Sequence, residues 1–145
     1  MQKRFWILIA LLLVVTLTVV ACGSDDDKNS DTSRPATFTT LDAQAAYNRF
    51  SKNGSAIIVD VRQPEEWAAT GIPTGAQLIP LPEFDQRAPN ELPKDKEIYV
   101  ICNSGNRSVV AAQSLISLGY PDVVNIDGGI QAWLRASLPV EPYSP

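Results

Sequence analysis

The sequence predicts an α/β protein built on a parallel sheet covered on both faces. Three observations point there. First, Ala56-Ile57-Ile58-Val59-Asp60-Val61, Ile98-Tyr99-Val100-Ile101 and Val123-Val124-Asn125-Ile126 are apolar runs of strand length without polar alternation. Strands of that kind are buried on both sides. Second, stretches with helical spacing separate them, as the crossovers of a parallel sheet require. Third, the second run ends at Cys102, and in open α/β sheets ligands bind beyond the carboxyl ends of the strands.

The remaining elements follow from local signals. Thr39 or Thr40 is read as the cap of a first helix carrying Leu41, Ala45, Tyr47 and Phe50, which ends near Asn53-Gly54. Pro64 opens a short helix through Trp67. Residues 76–79 form a short strand, and a proline-bounded segment follows over 80–93. Residues 107–118 have helical spacing at Val110, Ala111, Ser114, Leu115 and Leu118, with Gly119 placed to stop the helix. A last helix covers 130–136, with Trp133 and Leu134 on one face. Trp67 and Trp133 read as core residues.

Composition excludes several chemistries. The chain has 145 residues and no histidine, which removes a Ser-His-Asp triad, a Cys-His pair and a histidine-ligated metal. Its two cysteines, Cys22 and Cys102, do not build a zinc site, and no metal or cofactor is expected. Net charge is −4, and no run of Lys/Arg exceeds a pair, so nucleic acid is not an expected partner. An acidic chain gains nothing from anionic lipid either, so membrane attachment needs a separate cause.

The first residues supply one. Lys3 and Arg4 precede an apolar stretch from 5 to 20, closed by Val19-Val20-Ala21-Cys22. This is the layout of a secretory signal peptide. Its ending resembles the bacterial lipobox, which implies cleavage before Cys22 and lipid on Cys22. The competing reading is an uncleaved anchor, but the stretch is short for a span, which needs about 20 residues. Without Lys3 and Arg4, ten Lys/Arg against sixteen Asp/Glu leave −6. The expected organisation is a lipoprotein signal peptide at 1–21, a polar tether at 22–37 and one globular domain at 38–145. The tether, with Asp25-Asp26-Asp27 and several Ser and Asn, is expected to be disordered. The protein is then exported and held at the periplasmic or other extracytoplasmic face of a membrane.

The chemical centre is Cys102-Asn103-Ser104-Gly105-Asn106-Arg107-Ser108, set between a buried strand and a helix. Gly105 and the two Asn residues tolerate unusual backbone angles, so the loop is able to turn several N–H groups toward one point. The helix adds its positive end, and Arg107 adds a cation with a planar donor fork. An anion above the loop is well held, and a thiolate is favoured by the same features. Cys102 is therefore a candidate nucleophile that needs no histidine. A buried structural cysteine before an ordinary strand–helix turn is the competing reading.

Over residues 38–142 the sequence resembles the rhodanese family. Asp60-Val61-Arg62 with Glu66-Trp67 looks like its first signature, and Ile72-Pro73-Thr74-Gly75-Ala76 with Ile79-Pro80 is similar to its second. Cys102 with Gly105 and Arg107 matches its active loop. Gly119-Tyr120, Asp127-Gly128-Gly129 and Trp133 followed by Pro139-Val140 match its closing section. The chain departs at Thr70-Gly71-Ile72-Pro73-Thr74-Gly75-Ala76, one residue longer than the usual stretch and without its histidine, and at Asn103, where many members are basic or bulky.

The resemblance implies a rhodanese-like fold, a five-stranded parallel sheet with helices on both faces. It implies a sulfurtransferase with a persulfide on Cys102, and Arg107 orienting an anionic donor. Asn103, Ser104, Gly105, Asn106 and Ser108 line the substrate site. Asp60 and Arg62 are expected to pair internally, with Arg62 also a candidate for facing the site. Glu66 reads as a surface or turn-stabilising carboxylate, and Gly128-Gly129 as a tight turn. Donors are thiosulfate or a small persulfide, and acceptors are a thiol or cyanide. Two alternatives remain. One is a non-catalytic sulfur carrier or module docking to a membrane protein. The other is a phosphatase or arsenate reductase, although those families resemble a loop with five residues between Cys and Arg, and this chain has four.

Overall fold

The computed structural model describes residues 37–145. The expected signal peptide at 1–21, the lipidation candidate Cys22 and the expected tether through Ala36 lie outside the described residues. Five parallel strands form the main sheet: β1 (Thr39–Asp42), β2 (Ile57–Asp60), β4 (Gln77–Leu78), β5 (Ile98–Ile101) and β6 (Val123–Asp127), in the order β1-β6-β5-β2-β4. A small antiparallel pair joins β3 (Ile72–Pro73) to β7 (Val140–Glu141). The helices are α1 (Ala43–Phe50), α2 (Pro64–Thr70), α3 (Phe84–Glu91), α4 (Asn106–Ser117) and α5 (Gly129–Arg135). The expected rhodanese-like sheet is present.

Side chains alternate along the central strands and divide the interior in two. Val59, Ile98, Val100 and Val123 face a core completed by Phe84 and Ala88 of α3 and Ala111, Ala112 and Leu115 of α4. Ile58, Tyr99, Ile101, Val124 and Ile126 face the other core, completed by Ala43 and Ala46 of α1 and Ile130 and Trp133 of α5. Both faces are thus covered, which is why these strands carry no polar alternation.

The first helix begins later than the sequence suggested. Thr39 to Asp42 pair in register with Val124 to Asp127, and Asp42 is the cap, accepting from the Ala45 N–H at 2.8 Å. An edge strand that is largely exposed lacks the apolar run that betrays its neighbours. The 80–93 segment holds a 3₁₀ turn and α3, which tolerates Pro89 in its interior. α4 ends as anticipated: the Gly119 N–H reaches the Ile116 carbonyl and the Tyr120 N–H reaches that of Leu115, the paired bonds of a Schellman stop.

At the carboxyl end of β2 lies a buried ion pair. Asp60 and Arg62 are 0% and 1% exposed. The Arg62 Nε bonds both carboxylate oxygens of Asp60, at 2.9 and 3.0 Å, and Nη2 reaches Oδ2 at 2.6 Å. Its other donors go to the Thr70 hydroxyl at 2.7 Å, the Gly71 carbonyl at 2.8 Å and the Glu66 carbonyl at 3.3 Å. A charge without water is tolerable only when its donors are satisfied in this way. Arg62→Ala would leave Asp60 buried and unpaired. It is expected to cost about 3–5 kcal/mol of stability, the usual penalty for removing one partner of a buried pair. Urea unfolding measures this, and a loss below about 1 kcal/mol would show that water reaches the pair.

Candidate active site

β5 is the central strand, and Cys102 follows directly at its carboxyl end. The thiol is 1% exposed. The Gly105 N–H donates to Cys102 Sγ at 3.1 Å, so the loop closes around the sulfur in three residues. That closure sets Gly105 at φ 105°, a region open chiefly to glycine. Gly105 is also the residue before α4, and with no side chain it offers no cap to the helix. The first-turn N–H groups of this twelve-residue helix therefore stand open at its positive end. Ser108, fully buried, donates its hydroxyl to the Gly105 carbonyl at 2.9 Å, and its Oγ lies 3.4 Å from Cys102 Sγ.

The rear of the loop is held by α5. The Ile130 N–H bonds the Cys102 carbonyl at 2.7 Å, and the Gln131 N–H bonds that of Asn103 at 3.2 Å. Gly129, at φ 57°, makes this approach feasible: a Cβ there would lie 2.6 Å from both the carbonyl carbon and oxygen of Asn103. The Gly128-Gly129 turn is therefore also the backstop of the loop, a role its sequence does not reveal.

The structure brings together Cys102, Gly105 and Ser108, with Asn103 half-buried and Ser104 and Asn106 exposed at the rim. It sets Arg62 elsewhere. All of its N–H groups are engaged in the interior, so it supports the wall and offers a substrate nothing. Trp67 and Trp133 are core residues as expected. Cys102 is the sole cysteine among the described residues, and its thiol is free.

Arg107 has a partner that sequence reading missed. Its two terminal nitrogens each meet a Glu66 oxygen at 2.7 Å, a two-point bond from the end of the loop to α2. Glu66 also accepts from the Gln63 N–H at 3.1 Å, as the third residue of a capping box. The 41-residue separation hides the pair, and only the capping position of Glu66 was a local signal.

The Arg107 bond holds the Glu66 carboxyl down at about 2, against an ordinary 4.5. A carboxylate with a depressed value stabilises the fold above its unfolded value and loses that contribution as pH falls through the folded one. The stability gap between wild type and Glu66→Gln is therefore expected to be level from neutral pH to about 5 and to shrink between about 4.5 and 2. Urea midpoints measured across that range check this. A gap unchanged at pH 2 would mean that the pair does not form in solution.

Comparison with known proteins agrees with this geometry. The Rhodanese-like domain family matches residues 42–136. A sulfurtransferase of Allochromatium vinosum is 37% identical over 100 residues, 69% of this chain and 92% of its own length. A Bacillus subtilis protein provisionally named a sulfur carrier is 39% identical over 93 residues, and the match covers 64% of this chain and 49% of that protein. The crystal structure of a rhodanese-like domain protein from Staphylococcus aureus superposes with a TM-score of 0.64 at 30% identity, covering 74% of this chain and all of that one. With its central-strand cysteine loop and a family match over most of its length, the chain belongs to the rhodanese-like domain family.

Proposed function

We propose that this protein is a sulfurtransferase that carries a sulfane sulfur as a persulfide on Cys102. The observation that carries the reading is the Gly105 N–H aimed at Cys102 Sγ from 3.1 Å, at the open head of α4. A cysteine that served only to fill the core would need no N–H directed at it. The Cys102 thiolate attacks the outer sulfur of thiosulfate or of a persulfide. The donor's S–S bond breaks, and sulfite or a thiol leaves with the electron pair. A thiol or cyanide then removes the outer sulfur from Cys102, which is covalent catalysis in two half-reactions. As negative charge gathers on sulfur, the Ser108 hydroxyl is placed to turn from the Gly105 carbonyl toward Sγ. The name of the Allochromatium vinosum relative supports this reading.

A carrier that hands its sulfur to a docked membrane protein is the second reading. The recessed thiol and the name of the Bacillus subtilis relative favour it. The phosphatase alternative fits less well. Four residues between Cys102 and Arg107 make a small ring, and Arg107 is drawn off to Glu66.

The leader supports export and a lipid on Cys22, with the rhodanese-like domain standing off the membrane on residues 22–37. Changing Cys22 to Ala is expected to leave an uncut precursor or release the protein from membranes, as fractionation and intact mass would show. Membrane-bound mature protein without lipid would overturn the anchor. For the chemistry, thiosulfate or a persulfide is expected to add one sulfur to Cys102 by intact mass, and cyanide to remove it. Cys102→Ser should lose this while keeping the circular dichroism of the fold, since a hydroxyl has no usable anion at neutral pH. Sulfur transfer is excluded if wild type takes up no sulfur from either donor and instead hydrolyses a phosphate ester in a Cys102-dependent way.

A further inference from the structure

The loop 102–108 contains one Lys or Arg, Arg107, and the structure does not leave it free to meet an anion. Both of its terminal nitrogens face Glu66, and the two side chains are about one-third exposed, at 33% and 31%. A guanidinium bound at two points to a carboxylate presents little net charge to a third group. Nearby charges do not make up the difference. Arg62 is neutralised by Asp60 inside the fold. Asp127 sits against the loop from the other side, its Oδ1 only 3.4 Å from where a Cβ of Gly105 would be. Arg135 is also close, its Nη2 3.8 Å from where a Cβ of Gly128 would be, so three arginines against three carboxylates leave the surroundings of the thiol with no net positive charge before Cys102 ionises. Residues 37–145 carry eight Lys/Arg against twelve Asp/Glu, so the wider field also repels anions. Beyond the exposed Ser104 and Asn106, α4 presents two exposed valines. Val109 and Val110 are 41% and 58% exposed on the first turns of α4, and Val110 lies one turn on from Asn106 and Arg107.

We propose that Glu66 is a specificity-determining residue. By occupying Arg107 it makes the loop a poor receptor for the thiosulfate dianion and turns the site toward organic persulfides with little charge. This rests on the sulfur-transfer reading and names its donor class. In the step, the Cys102 thiolate attacks the terminal sulfur of R–S–SH. A new S–S bond forms on Cys102, the donor's own S–S bond breaks, and R–S⁻ departs with the electron pair while the proton stays on the transferred sulfur. One negative charge enters and one leaves, so the step needs no cation beyond the Gly105 N–H aimed at the sulfur and the positive end of α4. Thiosulfate would bring three negative charges together at the same place. The organic group R rests on the valine rim.

The test follows sulfur loading of Cys102 by intact mass with two probes, thiosulfate and the persulfide of 2-mercaptoethanol, in wild type and Glu66→Gln. Gln keeps an oxygen for the Gln63 N–H but releases Arg107's charge. Comparing each donor with itself across the variants cancels the donors' intrinsic reactivities. Thiosulfate loading is expected to rise about tenfold in Glu66→Gln, the scale of unmasking a partly desolvated charge, while persulfide loading stays within about twofold. A purely structural role for Glu66 would slow both donors together, and that result overturns the proposal, as does an unchanged thiosulfate rate. A second measurement needs no variant. Added potassium chloride should speed thiosulfate loading of wild type by screening like charges and leave the persulfide rate flat. Thiosulfate loading that slows with salt would show a cationic receptor and overturn the proposal. If neither donor loads wild type, the persulfide on Cys102 itself is wrong, a result distinct from equal responses of the two donors.

Discussion

The carboxyl end of β2 is where this fold commits itself, because Arg62 is a permanent cation with no water to hydrate it. Its five N–H groups must find oxygens within the chain. Asp60 supplies two, and Thr70, Gly71 and the Glu66 carbonyl supply the rest. These acceptors span both ends of α2, so satisfying one side chain fixes the helix at entry and exit. With α2 fixed, the Glu66 carboxylate has one place to point, and Arg107 is there. The buried pair and the active loop are thus linked through α2, which Trp67 also anchors in the interior.

The loop itself is a solution to backbone satisfaction. A strand ending in the middle of a parallel sheet must send its last carbonyls somewhere. Those of Cys102 and Asn103 go to the first N–H groups of α5. That uses donors of one helix start, while the Gly105 N–H at the start of α4 is directed at the sulfur. Gly129 lets α5 come close enough, and Gly105 lets the chain reverse in time to begin α4. The asymmetry between the two helix starts gives the site a closed back and an open front without a histidine.

Much of the sheet was legible because its strands are buried on both faces, and a run such as Ile98-Tyr99-Val100-Ile101 allows few other fates. The edge strand β1 was not, since half-exposed Thr39-Thr40-Leu41 reads as well as a helix approach. α3 was hidden by Pro89, which is tolerated there inside a short helix. In the site, Cys102, Gly105 and Arg107 were legible from spacing along one loop. The partners that decide their behaviour were not. Glu66 lies 41 residues upstream of Arg107, and Gly129 meets Asn103 through the fold alone. Arg62 pairs internally with Asp60 as expected, and only its candidacy for the site fails, because burial has spent every donor it has.

Two demands on the site are met by different parts of it. Sulfur needs a receptor for one diffuse negative charge, and backbone N–H groups with a helix end provide that without adding a mobile cation. On the proposed reading, donor choice depends on the side chains that surround that receptor. An arginine at the mouth of such a loop is by default an anion hook. Paired at two points with a carboxylate anchored by its own capping bond, it becomes a strut that holds the loop to α2 while contributing little field. The same residue in the same motif therefore has two roles, and which one it plays is set by a residue outside the loop. The loop sequence alone singles out Cys102, whereas the partner that occupies Arg107 is brought to it only by the fold.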